Sequence, residues 1–123
     1  AYCEKQGLDT SKIRLTDASG VSKNNLVTTD FISEYLVKNK DNAVLAHLAT
    51  PGQGTLTHRM LPIKESLRAK TGTLSDTSSI AGFLTTKHGN KYAFAIIIND
   101  TTSTIPDMKT LEDYLIREAF LRL

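Results

Sequence analysis

The chain has no tryptophan, one cysteine and three prolines in 123 residues, and only four phenylalanines and four tyrosines. A single thiol, Cys3, can close no internal disulfide and build no cysteine metal cluster, so it is read as a bystander near a chain end. No apolar run approaches the ~20 residues of a membrane span, and Ala1-Tyr2-Cys3-Glu4-Lys5 is not the basic-then-apolar pattern of a leader. Charge of one sign is missing too. Fifteen Lys and Arg stand against thirteen Asp and Glu, a formal net charge of +2, and the basic residues are scattered, so nucleic acid is not the expected partner. His47, His58 and His88 lack the close spacing of a metal pair, so neither a metal nor a cofactor is expected. There is no repeat, low-complexity tract or linker. What remains is an ordinary composition, 40% hydrophobic and 23% charged, able to bury roughly two thirds of its unfolded surface in one domain.

Residues 1–7 read as the end of a helix stopped by Gly7. A short extended run, Ile13 to Thr16, leads into a loop, Asp17-Ala18-Ser19-Gly20-Val21-Ser22-Lys23-Asn24-Asn25, dense in hydroxyl and amide side chains. Thr28 or Thr29 caps a helix to about Lys38, with Phe31, Ile32, Tyr35 and Leu36 on one face. Asp41 or Asn42 is expected to cap a second helix with Val44, Leu45 and Leu48 inward, ended by Pro51-Gly52-Gln53-Gly54. From Thr55 to Glu65, Pro62 argues against regular structure. A last helix opens at Thr104-Ile105-Pro106-Asp107, with a broad apolar face of Met108, Leu111, Leu115, Ile116, Ala119 and Phe120.

Between these lies the organising stretch, from Leu67 to Ile98. Apolar and β-branched runs separated by Gly, Asn and Ser clusters predict three antiparallel strands. In the last, Tyr92, Phe94, Ile96 and Ile98 alternate with Ala93, Ala95 and Ile97, so both faces are apolar and helices should cover both sides. The predicted class is α/β or α+β, an antiparallel sheet flanked by helices. The first strand carries Lys70-Thr71-Gly72-Thr73 where packing residues belong. A cation, two hydroxyls and an open backbone at glycine suit carboxylate binding. Tyr35 and Tyr92 read as core residues, Asp76 and Asp100 as turn formers, and Arg68 as a solvated strand charge.

Ser22-Lys23-Asn24 and Lys70-Thr71-Gly72 are, in order, the Ser-x-Asn and Lys-Thr-Gly elements of penicillin-binding proteins and serine β-lactamases. With Asp17 to Val27, Gly54-Thr55-Leu56 with Arg59, Arg68 to Leu74 and Ser78 to Phe83, the chain resembles the D-alanyl-D-alanine carboxypeptidase/endopeptidase branch of the low-molecular-mass penicillin-binding proteins. The resemblance runs from about Leu15 to the final helix. One element is absent: no lysine has a serine three residues before it, Lys70 being preceded there by Leu67, Lys23 by Gly20, Lys12 by Asp9 and Lys109 by Pro106.

The resemblance implies the C-terminal part of a β-lactamase/transpeptidase-like catalytic domain. Residues 1–62 would form a mostly helical segment carrying the Ser-x-Asn loop, and 63–123 the three strands and last helix, together one incomplete catalytic domain. It implies serine-type hydrolysis of D-Ala-D-Ala at the end of peptidoglycan stem peptides, outside the cytoplasm or in the periplasm, with β-lactams as covalent inhibitors. Ser22 would move protons, Asn24 would bond the substrate amide or catalytic lysine, and Lys70 would supply positive potential. Thr71 and Thr73 would bind the terminal carboxylate beside Gly72, with the Thr73 N–H in the oxyanion hole. The chain alone would be inactive. The N-terminal part of the same protein, or a second copy, would cover an open edge along Tyr92 to Ile98. A serine β-lactamase and a non-catalytic peptidoglycan- or partner-binding domain of the same fold stand as alternatives.

Overall fold

A computed structural model describes residues 2–123; Ala1, placed in the first helix by its sequence, lies outside the described residues. The element order is α1 (Tyr2–Lys5), α2 (Thr29–Lys38), β1 (Leu67–Leu74), β2 (Thr77–Thr85), β3 (Lys91–Ile98) and α3 (Ile105–Arg122), with short 3-10 turns between α2 and β1. The strands form one antiparallel sheet in the order β1-β2-β3. Leu67 faces Leu84 and Thr73 faces Ser78, while Ser78 faces Ile98 and Leu84 faces Tyr92. This register puts Leu67, Ala69, Ile80, Leu84, Phe94 and Ile96 on one face, because side chains alternate along a strand. That face meets Ile116 of α3 and the turn residues Leu56, Met60 and Ile63 in a single apolar core. Helix α2 lies against β3 and β2, and its Val37 lines a cavity with Arg68, Phe83 and Ala93 of the opposite face. Helices therefore cover both faces, but among the described residues β3 has a neighbour on one edge only.

Both long helices begin where their hydroxyl caps place them. Thr28 Oγ1 accepts from the Phe31 N–H at 3.0 Å. Thr104 Oγ1 accepts from the Asp107 N–H at 3.3 Å and donates to Asp107 Oδ2 at 2.7 Å, closing the first turn of α3. The buried stripe of α3 is Met108, Glu112 and Ile116, narrower than the sequence implied. Leu111 and Leu115 sit on its shoulder, 46% and 43% exposed.

The predicted second helix is absent. Asn42 Oδ1 accepts from the Val44 N–H at 2.9 Å, but only Leu45–His47 form a 3-10 turn and Val44 is exposed. A single turn offering no buried face cannot recover the cost of helix nucleation, and Pro51 biases Thr50 toward an extended backbone. The chain instead becomes extended at Leu48, so that the Ala49 carbonyl can accept from the Ala69 N–H at 2.8 Å. Pro62, expected to exclude regular structure, begins a 3-10 segment over Leu61–Ser66, where its missing N–H is not needed. Tyr92, read as core, is 41% exposed at the β3 edge.

One buried polar cluster joins α3 to the turns before β1. Arg59 Nη2 donates to Glu112 Oε2 at 2.8 Å and to Asp113 Oδ1 at 2.6 Å, and Nε donates to Asp113 Oδ1 at 2.9 Å. Glu112 is fully buried, and its Oε1 has no hydrogen-bond partner among the described residues.

Candidate functional site

The site is built on the free edge of β1. In an antiparallel strand alternate residues direct both N–H and C=O toward the same neighbour. Since Ala69 bonds Ala49 on the side away from β2, Thr71 and Thr73 also turn their backbone groups outward. The Thr71 carbonyl accepts from Lys70 Nζ at 2.5 Å. The Thr73 side chain is exposed. Gly72 faces away from the core, and a Cβ there would come within 2.6 Å of Ser79 Oγ. That hydroxyl donates to the Gly72 carbonyl at 3.4 Å, so the missing side chain leaves room for Ser79 on the face of the sheet.

The Ser-x-Asn loop folds on its own polar groups. Arg14 and Leu26 exchange backbone bonds at 2.8 and 2.7 Å, closing its base. Asp17 Oδ1 accepts from the Ser19 N–H at 2.9 Å, Ser19 Oγ at 2.7 Å and Asn25 Nδ2 at 3.2 Å. The hydrogen bond from the Ser19 hydroxyl is the main cause of an Asp17 pKa below the ordinary carboxylate value. Asn25 Oδ1 accepts from the Thr16 N–H at 2.7 Å and from Thr16 Oγ1 at 3.0 Å. Ser22 Oγ accepts from the Asn24 N–H at 3.2 Å and lies 3.5 Å from Thr16 Oγ1.

Loop and edge meet across a groove of about 460 Å³ lined by Ser22 and Lys23 on one side and by Gly72, Thr73 and Asp76 on the other. Lys23 Nζ crosses to Asp76 Oδ2 at 2.8 Å. Of the residues expected at the site, the groove unites Ser22, Gly72 and Thr73; Asn24, Lys70 and Thr71 are not among its lining residues. Thr71 differs most from expectation. It is buried, and its hydroxyl donates to Thr55 Oγ1 at 2.7 Å, so its proton is engaged inside the protein. The alternation of β1 puts Thr71 on the core face, where it positions the edge from behind. A larger cavity, about 640 Å³ at the other end of the sheet, holds none of these residues. Arg68 lines that cavity and stacks its guanidinium over Phe83, 5.1 Å from the ring centroid.

Sequence reasoning gave no contact at the site to Asn25, Thr55 or Asp76, although Asp76 stands in the turn between β1 and β2 as expected. Asn25 carried a weak signal as a second amide after Asn24. The partners of Thr55 and Asp76 lie far along the chain and left none.

The free edge strand carries Lys-Thr-Gly and faces the loop of Ser-x-Asn, two of the three motif elements of the penicillin-binding proteins and serine β-lactamases. Residues 2–117 match the D-Ala-D-Ala carboxypeptidase 3 (S13) family, and the chain belongs to that family. It is 34% identical over 116 residues to D-alanyl-D-alanine carboxypeptidase DacB of Haemophilus influenzae, a match covering 87% of this chain and 24% of the relative. It is 33% identical over 116 residues to Carboxypeptidase DacB of Mycolicibacterium smegmatis, covering 80% of this chain and 24% of the relative. The fold superposes on penicillin binding protein 4 (dacB) of Haemophilus influenzae, solved in complex with a β-lactam, with a TM-score of 0.81 and 30% identity over 98% of this chain and 31% of that one. The chain thus spans about a quarter of the length of the curated relatives it matches.

Proposed function

We propose that this chain supplies one wall of the active site of a serine-type D-Ala-D-Ala carboxypeptidase that trims peptidoglycan stem peptides outside the cytoplasm. The reading is carried by one observation, the groove that brings Ser22 opposite Gly72 and Thr73. Two polar motifs far apart in sequence have no local reason to share it. No helix among the described residues is long and apolar enough to cross a membrane.

In this reading the end of the stem peptide lies along the free edge of β1 as an added strand. A serine from outside these 123 residues attacks the carbonyl between the two D-alanines, giving an acyl-enzyme that water hydrolyses. The Thr73 N–H faces the developing oxyanion, and losing such a donor costs roughly 3–4 kcal/mol of transition-state stabilisation. The Ser22 hydroxyl hands a proton to the departing amine, and Asn24 bonds the substrate amide. Thr73 Oγ1 and the Lys70 ammonium, released from the Thr71 carbonyl, hold the terminal carboxylate. β-Lactams acylate the same serine because their ring amide occupies the position of the scissile bond. The N-terminal part of the same protein covers the β3 edge, which the three-stranded sheet leaves without a neighbour.

Fluorescent penicillin tests this directly. The intact protein should label stoichiometrically at a serine outside this segment, while the isolated chain, lacking a Ser-x-x-Lys nucleophile, should not label. In the intact protein Ser22→Ala should slow acylation by about 10²–10⁴-fold, the range of lost proton-transfer catalysis. An intact protein that remains unlabelled, or an isolated chain that labels, refutes the reading.

A further inference from the structure

We infer that Lys23 and Asp76 form a positioning clasp that sets the distance of Ser22 from Thr73 across the groove. The inference rests on the reading above that these two residues share one active site. Among the described residues, the hydrogen bonds of the loop 15–25 stay within the segment 14–26: Arg14 to Leu26 and Asn24, Thr16 to Asn25 and Ser22, Asp17 to Ser19 and Asn25. The exception is Lys23 to Asp76, which reaches 53 positions along the chain. The loop is therefore organised internally but tied to the sheet through one polar contact.

That contact falls where it bears on the site. Lys23 follows Ser22 directly. Asp76 occupies the turn between β1 and β2, just beyond Thr73 and Leu74. Its carboxylate is held at both oxygens, Oδ2 by Lys23 at 2.8 Å and Oδ1 by the Thr77 hydroxyl at 3.3 Å. The two side chains are 60% and 54% exposed, which makes the pair a poor anchor for the fold and a suitable one for biasing a loop. An exposed ion pair shifts such an equilibrium by about 2–5-fold. Lys23 could instead attract the substrate carboxylate directly, but then Asp76 would only oppose it. Removing Asp76 would leave acylation unchanged or faster.

The experiment compares acylation of the intact protein by fluorescent penicillin in the parent, in Lys23→Ala, in Asp76→Asn and in the exchanged pair Lys23→Asp/Asp76→Lys. Each is measured at low salt and near 1 M salt, with circular dichroism confirming the fold. Both single variants should acylate about 2–5-fold more slowly at low salt, and the exchanged pair should recover most of the loss. The parent's advantage should shrink at high salt, where the Debye length falls to about 3 Å. Asp76→Asn acylating at the parent rate, or an exchanged pair no faster than the single variants, overturns the clasp. Hydrogen exchange at the amides of residues 19–25 reads the same contact without chemistry. Asp76→Asn should speed it, and unchanged exchange overturns the clasp even if an unlabelled parent has already refuted the functional reading.

Discussion

Removing Arg59 should damage this domain more than any exposed charge can. The guanidinium is 13% exposed, and Glu112 beneath it is fully buried, with Oε2 held by Arg59 and Oε1 unpartnered. Burial alone would lower the arginine pKa, but hydrogen bonds to Asp113 and then Glu112 outweigh it and hold the value above the ordinary one. A cation with a raised folded-state pKa stabilises at every pH below its unfolded value and loses that contribution only as pH rises through the folded one. The arginine therefore contributes no pH dependence near neutrality. Arg59→Met leaves the Glu112 carboxylate buried without its partner, a change that costs about 3–5 kcal/mol. Against a total of about 5–15 kcal/mol for a domain, that is roughly a fifth of the stability or more. Arg59→Met/Glu112→Leu removes both charges and should return most of the loss, since apolar replacement of a buried pair is often neutral or better. Urea unfolding of the three proteins at one protein concentration measures this, with the m-value checked for constancy. A single variant within about 1 kcal/mol of the parent, or a double variant no more stable than the single, would show that the cluster is not what holds α3 to the 54–59 turn.

Gly82→Ala should be the most damaging single methyl in the sheet: its Cβ would fall on the Arg68 carbonyl oxygen and within 2.6 Å of Ala69 Cα. Both are backbone of the paired strand, so a loss of about 3 kcal/mol or more in urea unfolding is expected; a loss under about 1 kcal/mol would refute the close approach. The uncovered edge of β3 should make the isolated 123-residue chain self-associate, since unpaired strand edges recruit another chain. Light scattering after size exclusion that finds a stable monomer, with no fast amide exchange from Tyr92 to Ile98, would show that the edge needs no cover.

Local chemistry made the strands, the two long helices and the motif positions legible. Thr28 and Thr104 cap their helices because the hydroxyl, the following N–H groups and the apolar spacing all lie within one turn. Gly7, with φ of +71°, ends α1 for a similarly local reason. The helix predicted after Asn42 failed because its few apolar residues imitate a helical face, whereas Ala49 has its partner in Ala69, which periodicity cannot reveal. At the site, strand alternation puts Thr71 and Thr73 on one face, but it cannot show that the core covers Thr71 and leaves Thr73 exposed. What no local pattern could show is which distant group receives each side chain: Thr55 for Thr71, Asp76 for Lys23, Glu112 for Arg59.

These three long-range contacts divide the support of the β1 edge unequally, and burial explains the division. Behind the edge, Thr71 bonds Thr55 on the turn that Arg59 fastens to α3. That attachment ends in a fully buried carboxylate, where breaking one partner is expensive. In front, the Ser22 loop is tied through an exposed ion pair, a contact that water and salt keep weak. On the proposed reading, the edge that would hold a carboxylate and an oxyanion in fixed geometry is thus backed by the costly contact, while the loop that would move a proton and admit a peptide hangs on the cheap one. A reaction that needs preorganised donors on one wall and adjustment on the other is served by that asymmetry. Strengthening the front contact to match the back would be expected to slow entry of the peptide rather than improve the site.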